Sequence, residues 1–269
     1  MSHPRARVLM YHGVDRVSAR RDPYGMFVTP EAFRQQMETL VERGFVPVSE
    51  DDYLAAVDGA PLPRKAVLIT FDDGYVGVGE HAVPVLRELG LPSVLYVPAD
   101  RVGATSDWLE PGLRHPLMGA ADLRAVREAG MAIGAHASDH CDLRGLSDAD
   151  LDVQVGEARR HLESVVGAPV RSFAFPYGHH DERARAAVRE AGYAGAFGIY
   201  DEADRFAIGR VDVNATDTLR TFRLKLRRMF PALRRASDQV PSLRRRAHDL
   251  LGRAPRESPD GLGVEVGSR

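Results

Sequence analysis

Thr70-Phe71-Asp72-Asp73-Gly74-Tyr75 follows directly on Ala66-Val67-Leu68-Ile69. The earlier four residues form an apolar run of strand length, and Gly74 marks the turn after it. Two adjacent carboxylates therefore stand where a buried strand ends and a loop begins. In α/β folds, ligands and chemistry gather at that end of the strands. Two like charges side by side are costly unless something positive holds one of them, and a metal ion is a common solution. A plain Asp-Gly turn has the same composition, so this stretch alone leaves site and turn equally open.

Upstream, Val8 to Tyr11 reads as a first strand ending at His12-Gly13. Thr29-Pro30 opens a helix, with Phe33, Met37, Leu40 and Val41 on one face and Gly44 closing it. Phe45 to Val48 is a short strand and Asp51 to Val57 a short helix. Downstream, Val76 to Leu89 reads as a helix weakened by Gly77, Gly79 and Pro84, followed by the strand Ser93 to Val97. A long loop, Pro98 to Met118, carries the single tryptophan, Trp108. The helix Ala121 to Ala129 leads into the strand Met131 to Ala135, and Ser147-x-x-Asp150 starts the next helix. The strand Arg171 to Phe175, the helix Asp181 to Ala191 and two short strands, Tyr193 to Phe197 and Phe206 to Gly209, complete the pattern. Six or seven alternations of strand and helix predict a parallel sheet flanked by helices, open or closed into a barrel.

The chain has 269 residues, 44% hydrophobic and 28% charged, which is ordinary for a soluble globular protein. A single cysteine, Cys141, excludes an intramolecular disulfide framework and a multi-cysteine zinc site. The residues before Val8 are few and polar, with no signal-peptide core and no span long enough for a bilayer, so a cytoplasmic location is expected. The net charge of −2 hides an asymmetry: residues 1–218 carry −10 and residues 219–269 carry +8.

His136-Ala137-Ser138-Asp139-His140 follows another strand directly. Two histidines four residues apart can face one metal if the loop turns, and two His with one Asp form a hydrolytic metal site with open positions. Asp139 lies between them but faces elsewhere, so it is not counted as a ligand. A third stretch, Phe173-Ala174-Phe175-Pro176-Tyr177-Gly178, is by itself only a strand and a turn.

Together, in order and approximate spacing, the three stretches resemble the motifs of the NodB-homology polysaccharide deacetylases: T-F-D-D-G, H-[ST]-x-x-H and R-x-P-Y. The likeness covers roughly Val8 to Val213. It implies a distorted (β/α) barrel of about seven parallel strands and a divalent metal, most often Zn2+. It also implies Asp73, His136 and His140 as metal ligands and Asp72 as the base toward a metal-activated water. The backbone N–H of Tyr177 would help stabilise the oxyanion.

Three departures stand out. Ala137 fills the Ser/Thr slot of the second motif, Ala174 fills the arginine slot of the third, and no Leu-x-His motif follows Tyr177. One subgroup carries its acid-bearing strand at the N-terminus, as if circularly permuted. The start Leu9-Met10-Tyr11-His12-Gly13 resembles it, which makes His12 the candidate general acid. Arg210, after the late strand, is the candidate replacement for the missing arginine, with a surface ion pair as the plainer alternative. Trp108 and Tyr75 are candidates to stack on a sugar ring, with core packing the plainer role for Trp108. His179 and His180 either border the cleft or, more plainly, lie in a solvated loop, and Cys141 is expected as a small buried side chain.

Beyond residue 218, Leu219, Phe222, Leu226, Met229 and Leu233 recur at helical spacing among arginines. The reading is a catalytic domain over 1–218, a basic amphipathic helical extension over 219–252, and a disordered tail over 253–269. The extension either packs its apolar stripe on the acidic body or touches an anionic membrane or acidic partner; no nucleic-acid partner is expected. The expected activity is N-deacetylation of an N-acetylated sugar or glycoconjugate, with a nucleotide-linked, lipid-linked or small soluble substrate favoured by the expected location. The rivals are a non-sugar C–N hydrolase on the same barrel and a carbohydrate-binding protein that has lost turnover.

Overall fold

The computed structural model of the chain describes residues 6–200, 204–227, 229, 230 and 234. Among these residues ten strands form: β1 (Arg7–Tyr11), β2 (Gly13–Val14), β3 (Phe27–Val28), β4 (Val46–Pro47), β5 (Ala66–Phe71), β6 (Ser93–Val97), β7 (Met131–Ala135), β8 (Ser172–Ala174), β9 (Gly195–Phe197) and β10 (Val211–Asp212). Between them run α1 (Pro30–Glu42), α2 (Glu50–Val57), α3 (Val83–Leu89), α4 (Ala120–Glu128), α5 (Asp148–Leu151), α6 (Ala158–Val166) and α7 (Glu182–Glu190), with α8 (Leu219–Lys225) after the last strand. The main sheet is wholly parallel in the order β10-β1-β5-β6-β7-β8-β9, with β4 beside β5. Seven parallel strands with helices outside them form a distorted (β/α) barrel.

Strand alternation sorts the side chains. Val8, Ala66, Leu68, Val94, Tyr96, Ala174, Phe197 and Ile208 form one buried cluster inside the curl of the sheet. Their odd-numbered neighbours Leu9, Tyr11, Val67, Ile69, Phe71, Leu95 and Ile133 pack outward in the larger cluster, against helices. The register has a direct consequence for chemistry. His12, Asp72 and His136 continue the inward parity of their strands at the C-terminal rim. Gly134 on β7 is required by this interior, because a Cβ there would stand 2.4 Å from the Tyr96 ring.

The end of the chain departs from the predicted Phe206 to Gly209 strand. Only Ile208 pairs there, as a parallel bridge to Phe197, and the regular strand comes later at Val211–Asp212 beside β1. This one segment therefore touches β9 with its first half and β1 with its second, drawing the two edges of the sheet together. The predicted helix Val76 to Leu89 also differs: its first part is a π-turn, Val78–Ala82, before α3 begins. Gly79 sits in that wider turn, close against Met118 and Val126.

Helix α8 is capped by Thr218 and buries Phe222 and Leu226 in the main core, while Lys225 donates to Asp217 at 2.7 Å. Phe222 and Leu226 of the predicted stripe thus pack on the body, whereas Met229 is 69% exposed. The rest of the predicted extension, apart from the few residues named above, and the predicted disordered tail lie outside the described residues.

Inside the barrel, Glu50 accepts a hydrogen bond from Ser172, whose hydroxyl contacts Tyr96 Oη at 2.9 Å. Burial pushes the Glu50 carboxyl up to about 7, only partly offset by the Ser172 bond. The folded protein therefore holds a proton that the unfolded chain releases near roughly 4.3. The associated stability is complete at low pH and lost as pH rises through about 7. Glu50→Gln is expected to be more stable than the parent at alkaline pH by on the order of 3 kcal/mol, and to match it in mild acid. Thermal unfolding across that range is the measurement; parallel profiles for both proteins would refute the assignment.

Candidate active site

Asp72 is one residue beyond β5, and its backbone N–H donates to Tyr11 O at 2.9 Å, which continues the β1–β5 ladder. Its carboxylate is 2% exposed and meets Arg210 in a two-pronged pair: Nη1 to Oδ1 at 2.6 Å and Nη2 to Oδ2 at 2.8 Å. The guanidinium is itself fully fixed. Nε donates to Gly198 O at 3.1 Å, Nη1 reaches Thr70 Oγ1 at 3.3 Å, and the cation lies 5.5 Å over the Tyr96 ring. Burial alone would raise the Asp72 carboxyl; Arg210 beside it, then His136 and His12, hold it below the usual carboxylate range.

The pairing explains the alanine at 174. Ala174 is buried in the interior cluster with Tyr96, Phe197 and Ile208, and carries no charge to the site. The guanidinium arrives instead from the segment that joins β9 to β1, two residues after Ile208 on the same inward parity. Ala174 contributes its backbone carbonyl, which accepts from His136 Nδ1 at 2.7 Å. That bond fixes the tautomer and turns Nε2 toward Asp73.

Asp73 stands between the two histidines. His136 Nε2 is 3.5 Å and His140 Nε2 3.2 Å from its Oδ1, yet neither approach is aligned as a hydrogen bond and this buried oxygen has no such partner. One donor atom from each of the three residues lies within 4.8 Å of the others. Burial would raise the Asp73 carboxyl, but the two imidazoles beside it hold it well below the usual range. Burial pushes His140 down against the pull of Asp73, which favours the neutral ring that a ligand must have. His136 is also opposed by burial, but Asp72 and Asp73 raise it above its ordinary value. An unpartnered buried carboxylate oxygen facing two imidazole nitrogens suits a divalent cation in type and number of donors.

The backbone here is strained. Of six non-glycine residues at positive φ among those described, four line this rim: Asp73 (73°), Ala137 (63°), His140 (68°) and Tyr177 (58°). Such conformations cost of order 1–3 kcal/mol each and cluster where side chains must be aimed. Ala137 is fully buried in its left-handed turn, so it offers no place for an exposed hydroxyl. The neighbouring hydroxyl does the tying: Ser138 Oγ donates to Asp100 at 2.6 Å, and its N–H donates to Gln154 at 3.0 Å.

His12 lies on the same rim, next to Asp72 across adjacent strand ends. Its Nδ1 is buried without a hydrogen-bond partner, and the ring lies near enough to influence both aspartates. Tyr177 sits edge-on to His140, with ring centroids 4.8 Å apart. Trp108 stacks flat on His140, at 4.1 Å and 14°. It also packs beside the cluster of Phe27, Tyr75 and Leu117, so the expected core role is only half of its environment. Tyr75 is 1% exposed and cannot face a sugar. His179 pairs with Asp142 at 2.8 Å, and His180 packs on Phe175. Cys141 is half-buried, and its thiol is pushed up to about 12 by burial and then by Asp139, which leaves it unreactive. Sequence reasoning missed Thr70, Tyr96 and the Ala174 carbonyl as supports. Inward strand parity is the signal that could have found Thr70 and Tyr96.

Residues 59–196 match the sequence profile of the polysaccharide deacetylase family. A candidate polysaccharide deacetylase of Bacillus subtilis (strain 168), YxkH, is 23% identical over 188 residues, covering 69% of this chain and 61% of that protein. Poly-beta-1,6-N-acetyl-D-glucosamine N-deacetylase of Escherichia coli (strain K12) is 38% identical over 87 residues, or 32% of this chain and 13% of the enzyme. The chain thus spans less than two thirds of either relative. Among solved structures, the Streptococcus pyogenes deacetylase PplD in complex with acetate shares the fold, with a TM-score of 0.72, 17% identity, and coverage of 82% of this chain and 98% of that one. No helix among the described residues is long and apolar enough to cross a membrane.

Proposed function

The chain belongs to the polysaccharide deacetylase family, and from that premise we propose that it hydrolyses the acetamide of an N-acetylated sugar or glycoconjugate to free amine and acetate. The observation that carries this reading is a buried, ionised Asp72 clamped by Arg210 directly beside Asp73, whose Oδ1 faces two histidines without a hydrogen-bond partner. A binding protein has no use for the second carboxylate.

Asp73, His136 and His140 would hold a divalent cation, with Zn2+ the best match to an N,N,O donor set. When bound, such an ion supplies Lewis acidity to the attacking water and to the amide carbonyl. Asp72 takes the proton from that water as its oxygen bonds to the carbonyl carbon; Arg210 keeps the acceptor oxygens ionised and fixed in direction. The backbone N–H of Tyr177 donates to the carbonyl oxygen as negative charge grows there. His12, on the neighbouring strand end, hands a proton to the nitrogen as the C–N bond breaks, releasing the amine. The aromatic rings of Trp108 and Tyr177 brace His140, one stacked flat on it and one edge-on.

Release of acetate from N-acetylglucosamine oligomers, with and without chelator, tests the proposal. Release is expected to vanish on chelation and return with Zn2+, and His12→Ala is expected to lose about a hundredfold or more in turnover while still binding the ion. Bound metal without acetate release from any N-acetylhexosamine would move the site to a non-sugar amide or to binding alone. Full turnover by His12→Ala would remove it as the acid.

A further inference from the structure

A second charged feature lies at the opposite end of the barrel strands from the aspartates. A groove of about 470 Å³ opens between the end of α1, the start of β5 and helix α8. Its walls carry Arg43, Lys65, Arg220, Arg223 and Arg227, and no carboxylate lines it. Among the described residues, none of these five cations has an ion-pair partner. The floor is apolar, formed by Phe45, Leu224 and Leu226.

The arrangement follows from the sequence of α8. Phe222, Lys225 and Leu226 turn inward and are buried, which leaves positions 220, 223 and 227, spaced three and four apart, as one exposed arginine stripe. Lys65 is anchored toward that stripe: its Nζ donates to Arg43 O at 2.6 Å and stands 5.9 Å over the Phe45 ring. Five like charges around one groove repel one another, and the repulsion is relieved by an anion held among them. The charge is local rather than global, because residues 1–218 carry a net −10. Arginine forks pair with phosphate oxygens two at a time, and a phosphate group offers more oxygens and more negative charge than a carboxylate to share among the three.

We propose that this groove binds a phosphate-bearing ligand, either a free phosphate compound or the headgroup of a phospholipid, at a site separate from the hydrolytic centre. The proposal does not rest on the deacetylase reading, since binding can be measured without turnover.

Two probes distinguish the sources: calorimetric titration of the full chain with inorganic pyrophosphate, and flotation with phosphatidylglycerol–phosphatidylcholine vesicles against phosphatidylcholine alone. Binding to at least one probe is expected, weakening with added salt. Arg220→Gln/Arg223→Gln is expected to lose about tenfold or more of it, because two of the arginine forks are gone. Arg183→Gln, on α7 outside the groove, serves as the control and is expected to bind as the parent does. Both arginines are exposed, so the double variant should fold, and unchanged circular dichroism and acetate release check that it has. Pyrophosphate binding alone assigns the free compound; vesicle binding assigns the headgroup. Absence of binding to both probes, or retention of full binding by the double variant, overturns the proposal.

Discussion

Asp72→Asn is expected to lower kcat/KM by about a thousandfold while leaving divalent-metal binding unchanged. The reason is the division of labour within the Asp-Asp pair. Asp72 turns into the barrel and gives both oxygens to Arg210, whereas Asp73 turns to His136 and His140. Asparagine keeps the shape of the side chain and one oxygen for Arg210, but it cannot accept a proton at neutral pH. The three residues that would hold the ion are untouched. Metal content by titration and acetate release, measured on one preparation, decide the matter. Activity within about tenfold of the parent would show that the proton goes elsewhere. Loss of metal in parallel with activity would make Asp72 a ligand.

Arg210→Gln is expected to destabilise the fold by about 3–5 kcal/mol, because it leaves the buried Asp72 carboxylate without its counter-charge. A drop in melting temperature of roughly 10 °C would follow for a chain of this size. The same change should move the acid limb of the pH–activity profile upward. Asp72 must be ionised to act, so activity fails as pH falls through its folded pKa. Burial raises that pKa, and Arg210, then His136 and His12, lower it. Without the guanidinium, burial dominates and the limb shifts to higher pH. Arg210→Lys should recover part of the stability but not the two-pronged geometry, since an ammonium is a single point of charge. An unmoved acid limb and a melting temperature within about 2 °C of the parent would separate Arg210 from the base.

Much of the site could be read from the chain because strand ends are local features. An apolar run followed by Asp72-Asp73-Gly74 and a second run followed by His136 place their polar residues at the same rim of any parallel sheet. Period-two alternation then aims Asp72, His136 and His12 inward. The spacing of His136 and His140 required only that the loop turn, and the positive φ of Ala137 and His140 supplies that turn. The limits of the late strands were less legible. Phe206 to Gly209 has the composition of a strand, but pairing is decided by where β9 and β1 end, and only Ile208 finds a partner there. Likewise Trp108 reads as a core residue from its size alone. Nothing nearby in sequence says that its open face will cover His140.

The sequence by itself determined the alternation of strands and helices, the chemical types at the rim, and the absence of an arginine at position 174. Those are properties of short stretches, fixed by local periodicity and composition. Only the tertiary structure decided what stands in for that arginine. Arg210 lies 138 residues from Asp72, and no local pattern links them. They meet because the sheet curls until one segment touches both of its edges, which carries Arg210 into the interior beside β5. There the alanine at 174 supplies no charge, and burial makes the Arg210 counter-charge the one the carboxylate leans on most.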